Sequence, residues 1–298
     1  MDSAQVPAGT IVVGIDGSPD ADRALDWGST QAALERRPLT LLHAVQASGF
    51  PASGTFVAAG MDYGHLLGVL REAGQGLLAD ARARALAQEP GLEVLEVLSS
   101  SDARNELLSL SHRASLVVVG SRGRGPVSSL LLGSVSVSVS KHASCPVVVC
   151  RPAPTADGEP GQGIVVGVDG TERCLPAIDF AFRMAALRRS PLTVLHSYWD
   201  ARSVAHVDPS PGDVEDLRAL LSESISGMAE KFPDVVVDLR LRHGFADRNL
   251  VDASRDHALL VLAHRPLSPL DDLVYGSVAA AVVEHARCPV AVVPAAPA

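Results

Sequence analysis

Two stretches that lie 153 residues apart decide the organisation of this chain: IVVGIDGSPDADRALDWG at 11–28 and IVVGVDGTERCLPAIDFA at 164–181. The same offset relates RPLTLLHAV at 37–45 to SPLTVLHSY at 190–198. Further on, GSVSVSVSKHASCPVVV, which begins at Gly133, matches GSVAAAVVEHARCPVAV, which begins at Gly276, at an offset of 143. The element order is therefore repeated, and we predict a tandem repeat of one structural unit.

Each copy alternates short apolar runs with longer amphipathic segments, the pattern of a parallel sheet whose strands are connected by helices. The runs of the first copy are rich in Val and Leu, which is typical of strands covered on both faces. They are TIVVGID (10–16), LTLLHAV (39–45), LEVLEVL (92–98), SLVVVG (115–120) and PVVVC (146–150). We therefore predict an α/β fold with two tandem, open, five-stranded parallel sheets.

The stretch RPAPTADGEPGQG, at 151–163, is rich in Pro and Gly and separates the two copies. Such composition is typical of a linker. The sequence predicts a first domain over 1–152, a linker over 153–163 and a second domain over 164–298.

Helix starts can be predicted from capping residues. Ser18 is a good N-cap and Pro19 suits the first helical position. The equivalent helix near Thr171 carries Pro176 one turn further in and is expected to start late or to kink.

The stretch SVSVSVS alternates like a strand. Its repeat partner SVAAAVVEHA favours a helix, and a crossover between parallel strands is needed there, so we predict a helix over 134–143.

Composition excludes several classes of protein. Hydrophobic residues make up 47% of the 298 residues and charged residues 20%, as in folded globular domains rather than disordered chains. The net charge of −9 argues against nucleic acid as a partner. No apolar run is long enough for a membrane helix, the N-terminus is not a secretory signal, and the four cysteines form no C-x-x-C pair. We expect a cytoplasmic protein with buried thiols and no membrane partner.

The glycine-rich stretch GSRGRGPVSSLLLGS, at 120–134, follows the fourth strand, where open parallel sheets bind their ligands. Glycines let backbone amides approach an anion, and the following helix adds unpaired N–H groups. The residues alone leave two readings open: a phosphate-binding loop, or an ordinary turn between a strand and a helix. A P-loop is excluded because neither lysine, Lys141 or Lys231, follows glycine.

The spacing G-x2-G-x9-G-[ST] is filled by Gly120, Gly123, Gly133 and Ser134. It resembles the ATP-binding signature of the universal stress protein family, as do IVVGIDGS, PLTLLHAV and HASCPVVVC. The resemblance spans almost the whole chain, twice. It implies a tandem member of that family, with the Rossmann-like fold of the adenine-nucleotide alpha-hydrolases and ATP, with Mg²⁺ as a possible companion, across the ends of strands one and four.

The resemblance also implies roles for individual residues. Asp16 and Gly14 would contact the ribose or adenosine end, and Val45 would contact adenine through its backbone. The phosphate site would comprise Gly120, Ser121, Arg122, Gly123, Arg124, Gly125, Gly133, Ser134 and Val135. Asp16 could instead cap a turn, Val45 could be ordinary core, and the two loop arginines could simply be solvated.

The second copy departs from this signature. Ala263 and Pro266 replace the first two glycines, and Asp271 and Asp272 add negative charge to the loop. Proline removes an amide donor, and acidic residues repel phosphate. The residues retained for a degraded second site are Gly167, Asp169, Gly276 and Ser277. We therefore predict one competent ATP site, in the first copy.

The leading functional hypothesis is an ATP-binding regulatory protein of the stress response, whose nucleotide state controls conformation, assembly or partner binding. Two alternatives stay open: a slow ATPase or phosphoryl-transfer enzyme, and a nucleotide-independent adaptor. No catalytic residue or metal site stands out, so an enzyme is the weaker hypothesis. The resemblance further implies a homodimer with an unidentified protein partner, and the last strands of the two copies are candidates for pairing edge to edge.

Overall fold

The structure is a computed structural model that describes residues 5–45, 63–123, 132–152, 161–198, 211–264 and 276–295. The chain divides into two compact units, Met1–Cys150 (unit 1) and Arg151–Ala298 (unit 2). Among the described residues, each unit contains five strands and connecting helices, and all neighbouring strands within a unit are parallel. The predicted α/β class with two five-stranded parallel sheets is confirmed.

Unit 1 forms a sheet with the strand order β3-β2-β1-β4-β5. Its strands are β1 Ile11–Gly14, β2 Leu39–Ala44, β3 Val94–Ser99, β4 Leu116–Gly120 and β5 Val147–Cys150. Its helices are α1 Pro19–Glu35, α2 Tyr63–Gln88, α3 Ala103–Ser111 and α4 Ser134–His142. The strand order reverses between β1 and β4, so their carboxyl ends flank the position where such sheets bind ligands.

Unit 2 repeats this order as β8-β7-β6-β9-β10. Its strands are β6 Ile164–Val168, β7 Leu192–Tyr198, β8 Val237–His243, β9 Leu259–His264 and β10 Val290–Pro294. Its helices are α5 Leu175–Arg188, α6 Pro211–Lys231, α7 Ala246–Ala253 and α8 Gly276–His285, and a 3₁₀ turn, Glu172–Cys174, precedes α5.

The central strands are buried because helices cover both faces of the sheet. In unit 1, Ile11, Val12, Val117 and Val118 are completely inaccessible to solvent. Ile11 pairs with both Leu39 of β2 and Leu116 of β4, which fixes the register at the centre of the sheet. This rigid centre holds the loops that leave β1 and β4 at one edge.

The helix starts follow the capping residues. Ser18 caps α1 by accepting a hydrogen bond from the Ala21 amide, as predicted. Its counterpart in unit 2 starts late: the 3₁₀ turn comes first, and α5 carries Pro176 in its first turn. The SVSVSVS segment is the helix α4, as the repeat predicts, and the Ser140 hydroxyl donates to the Ser136 carbonyl within it.

Candidate functional site

Unit 1 brings the end of β1 and the loop after β4 together. A Cβ atom on Gly123 would lie 2.5 Å from Oδ2 of Asp16, so the loop passes directly over this carboxylate. The other carboxylate oxygen, Oδ1, accepts a hydrogen bond from the Ser18 amide at 2.9 Å. Asp16 therefore caps the turn that follows β1, which was the alternative to a role in ligand binding. Its carboxylate also lies against the glycine-rich loop.

Asp20, in the first turn of α1, holds the start of the same loop. Its Oδ2 accepts hydrogen bonds from the Ser121 hydroxyl at 2.6 Å and from the Arg122 amide at 3.0 Å. Oδ1 pairs with Arg23. Ser121 is completely buried, so this contact fixes the direction in which the chain leaves β4.

Gly120 is required by packing. A Cβ atom there would lie 2.6 Å from the carbonyl carbon of Asp20 and 2.8 Å from its Cβ, far inside normal contact distances. The glycine therefore lets α1 approach the end of β4. In unit 2 the equivalent residue is Ala263, and the helix opposite it begins with the 3₁₀ turn Glu172–Cys174 instead of a full α-helical turn.

Gly133 connects the loop to α4. Its amide donates to the Ser121 carbonyl at 2.8 Å, and the Ser136 hydroxyl donates to the Gly120 carbonyl at 2.7 Å. Gly133 is the N-cap of α4 and supplies no side-chain cap. The amides that follow it, those of Ser134 and Val135, belong to the first turn of the helix, where N–H groups have no partner within the helix.

Gly14 and Val45 are the residues that the family resemblance implies at the adenosine end of the site. A Cβ atom on Gly14 would meet its nearest neighbour, Cγ1 of Val119, at 3.5 Å, an ordinary contact, so protein packing does not demand glycine at this position. The Val45 amide donates to the Ser99 carbonyl at 2.9 Å, which leaves only its carbonyl for a base. His43 places Nδ1 2.7 Å from the Ile15 carbonyl, beside these residues.

Two of the expected phosphate residues, Arg124 and Gly125, lie outside the described residues, as do Pro266, Asp271 and Asp272 of unit 2. The Arg122 side chain is exposed. The structure therefore brings together one part of the expected set: Asp16, Gly120, Ser121, Gly123 and Gly133.

Asp20 is the residue that sequence reasoning missed, because an acidic residue in the first turn of a helix is ordinary. The repeat carries a signal that could have found it. At the offset of 153, Asp20 corresponds to Arg173, and this change accompanies the replacement of Gly120 by Ala263. Both residues of the close contact between Asp20 and Gly120 are therefore replaced in the second copy.

Unit 2 arranges the equivalent residues differently. Gly167 is closely packed, since a Cβ atom there would lie 2.8 Å from Cδ2 of Leu250. Asp169 accepts hydrogen bonds from the Thr171 amide and hydroxyl, at 2.9 and 2.7 Å, and from Sγ of Cys174 at 3.1 Å. Burial acts to raise the pKa of Asp169, but the hydrogen bonds from Cys174 and Thr171 outweigh it and lower the pKa. Gly276 begins α8, and Ser277 follows it.

The chain resembles known proteins over almost its whole length. The profile of the Universal stress protein family matches residues 8–151 and 162–294. A universal stress protein of Mycobacterium tuberculosis is 33% identical over 290 residues, which is 95% of this chain and 96% of that protein. One of Mycolicibacterium smegmatis is 30% identical over 291 residues, with 95% and 96% covered.

Solved structures agree on the fold. The crystal structure of a universal stress protein from Archaeoglobus fulgidus superimposes with a TM-score of 0.73 at 17% identity, and the match covers 97% of each chain. Within the described residues, no helix has the length and apolar character needed to cross a membrane. The same residues contain no group of three or more His, Cys, Asp or Glu arranged to hold a metal ion.

Proposed function

The chain belongs to the universal stress protein family, and from this premise we propose that unit 1 binds ATP and that the bound nucleotide regulates the protein. The observation that carries the proposal is the contact between Asp16 and Gly123 at the switch point of the sheet. It brings the first-strand aspartate next to the G-x2-G part of the signature, and this proximity supports the proposal.

The residues present fit a nucleotide triphosphate. Gly123 lets the loop approach the Asp16 carboxylate more closely than a residue with a Cβ atom could, and Gly133 opens a helix whose first amides favour an anion. Ser134 adds an exposed hydroxyl at the same helix start. A Cβ atom on Gly14 would make only ordinary contacts with Val119 and Leu107, so protein packing does not explain the glycine that ends β1.

A Mg²⁺ ion bound together with ATP would be held mainly by phosphate oxygens. The described residues offer no group of three or more potential metal ligands. The part of this chain in phosphate binding is therefore to supply amides and hydroxyls from a preformed loop, which Asp20 fixes through Ser121 and Arg122.

We propose that unit 2 does not bind ATP. Gly167 is filled on its side-chain face by Leu250 and Leu262. Asp169 is engaged by Thr171 and Cys174. The sequence changes in its loop remove an amide donor and add two carboxylates. Each carboxylate would repel a phosphate charge roughly 4 Å away by about 4 kcal/mol before screening, so several kcal/mol oppose phosphate binding there. Unit 2 would then serve assembly or coupling.

The first test is the nucleotide content of the protein. Freshly purified full-length chain is denatured, and the supernatant is assayed for adenine nucleotide, with ATP titrated into stripped protein in parallel. We expect up to one adenine nucleotide per chain and saturable ATP binding. Absence of both would refute the proposal.

The same preparation separates regulation from catalysis. We expect ATP to remain bound with no more than slow turnover, because neither a base nor a set of Mg²⁺ ligands is evident in the described site. Steady multiple-turnover hydrolysis that Gly123→Asp removes would instead establish the ATPase alternative. The family resemblance supports a cytoplasmic homodimer with a protein partner, and light scattering with and without ATP measures whether assembly follows the nucleotide.

A further inference from the structure

The strand β8 of unit 2 lies at the edge of its sheet. Among the described residues of this unit, β8 pairs with β7 alone. It spans seven residues, Val237–His243, all of them in continuous register with β7. Such an edge offers a row of backbone N–H and C=O groups to another strand.

Several features that usually protect a sheet edge are missing from β8. The strand contains neither proline nor lysine, and its continuous register with β7 has no bulge. Val236, which directly precedes the strand, is 73% exposed and is the most exposed large apolar side chain among the described residues. The edge is therefore suited to pairing with another strand.

The two faces of β8 differ in chemistry, because successive side chains of a strand point to opposite faces. One face carries three exposed charged residues: Asp238, Arg240 and Arg242. The other face carries three half-buried apolar residues: Val237, Leu239 and Leu241. Charges of both signs on one face do not simply repel a neighbouring strand, since they can also pair with it.

The opposite charges occur in unit 2 only. The equivalent edge strand of unit 1 is β3, and its register with β2 aligns it with β8 at an offset of 143. At this offset Asp238 corresponds to Leu95, and Arg240 corresponds to Val97, which is buried. The aspartate and the arginine are therefore particular to the edge of unit 2.

β8 is complementary to a second copy of itself. In a dimer with two-fold symmetry the two β8 strands run antiparallel, and each contact occurs twice. When Leu239 lies opposite its own copy, Asp238 lies opposite the partner's Arg240, and Val237 lies opposite the partner's Leu241. Opposite charges then meet on one face, and apolar side chains meet on the other.

Charge also selects this register over its two neighbours. With Arg240 opposite its own copy, two arginines face each other, and with Asp238 opposite its own copy, two aspartates do. Like charges directly opposite destabilise a strand pair. In the register centred on Leu239, Val236 instead lies opposite the partner's Arg242, whose aliphatic stem can cover it.

We propose that β8 pairs with β8 of a second copy of this chain, with Leu239 opposite its own copy. The proposal rests on the homodimer of the proposed function and names its surface. It does not depend on nucleotide binding, because no residue of β8 belongs to the candidate ATP site of unit 1.

The test measures self-association of charge variants of the full chain by sedimentation velocity. Arg240→Asp and Asp238→Arg each place like charges opposite one another, and we expect each variant to self-associate at least tenfold more weakly than the wild type. An equimolar mixture of the two variants should associate again, because every opposed pair then contains one arginine and one aspartate. The exchange Asp238→Arg/Arg240→Asp within one chain should also restore association.

The matched control is Arg255→Asp, which breaks another exposed ion pair of unit 2, that with Asp252, and should leave association unchanged. A monomeric wild type would overturn the proposal and leave the edge to a strand of a different protein. Single variants that associate as strongly as the wild type would also overturn it, and the homodimer would then use another surface. Failure of the mixture to associate would refute the register. Calorimetry of ATP binding to the same variants tests the nucleotide proposal separately.

Discussion

The substitution Asp20→Ala tests how the loop after β4 is held. It removes the acceptor of the Ser121 hydroxyl (2.6 Å) and of the Arg122 amide (3.0 Å). Hydrogen bonds to charged groups contribute about 1.5–3 kcal/mol each, and a buried hydroxyl left unpaired costs about 1–3 kcal/mol. The Arg23 pair is partly exposed and adds little. We expect the free energy of unfolding of unit 1 to fall by about 2–4 kcal/mol.

Fluorescence can report unit 1 alone. The chain has two tryptophans, Trp27 in α1 and Trp199 in unit 2, so Trp199→Phe leaves Trp27 as the single reporter during urea unfolding. Arg173→Ala, at the equivalent position of unit 2, is the matched control and should change the stability of unit 1 by less than about 0.5 kcal/mol. A loss below about 0.5 kcal/mol in Asp20→Ala would refute the reasoning.

A double-mutant cycle measures how much of the stability lost in Asp20→Ala comes from the contact between Asp20 and Ser121. If Asp20 acts through Ser121, the loss caused by Asp20→Ala should shrink in a Ser121→Ala background, with a coupling energy of about 1–2 kcal/mol. Strict additivity of the two substitutions would show that the hydroxyl–carboxylate bond contributes nothing.

Three further outcomes are expected. Gly14→Ala should leave the stability of unit 1 nearly unchanged because its Cβ would make only ordinary contacts, whereas Gly167→Ala should destabilise unit 2 by about 1 kcal/mol because its Cβ would lie 2.8 Å from a Leu250 methyl. Asp169→Asn should destabilise unit 2 at pH 7. The loss should shrink as the pH falls below the unfolded pKa of about 4 and vanish once the pH passes below the lowered folded pKa. Urea unfolding followed through Trp199 measures this pH dependence and the effect of Gly167→Ala. Native protein should react with a thiol reagent at pH 8 over a hundredfold more slowly than unfolded protein, because burial raises the pKa to about 12 for three thiols, Cys145, Cys174 and Cys288.

The sequence predicted the fold well because the repeat tested each element twice. SVSVSVS alone has the period of a strand, and only its partner SVAAAVVEHA indicates the helix that the structure contains. The late start of α5 was predicted from the position of Pro176, which lies in the first turn of that helix. The helix α7 begins at Ala246, and no capping side chain marks this start in the sequence, because its N-cap is Phe245.

Side-chain partners could not be predicted in the same way. The contact of Asp20 with Ser121 joins residues 101 positions apart, and nothing in either local sequence announces it. Arg36 and Arg189 end α1 and α5 with φ of 53° and 49°, a conformation for which glycine is the usual signal. The structure also gives Gly120 a packing role that the motif alone does not distinguish from phosphate binding.

The most direct test of a single ATP site compares two equivalent glycines by calorimetry of the full chain. Gly133→Asp should fold normally, because a Cβ there meets nothing closer than 3.4 Å and aspartate is a good N-cap, yet its charge opposes phosphate. We predict about one ATP per chain for the wild type, none for Gly133→Asp, and unchanged binding for Gly276→Asp. Two ATP molecules per chain, or equal losses in the two variants, would contradict the account.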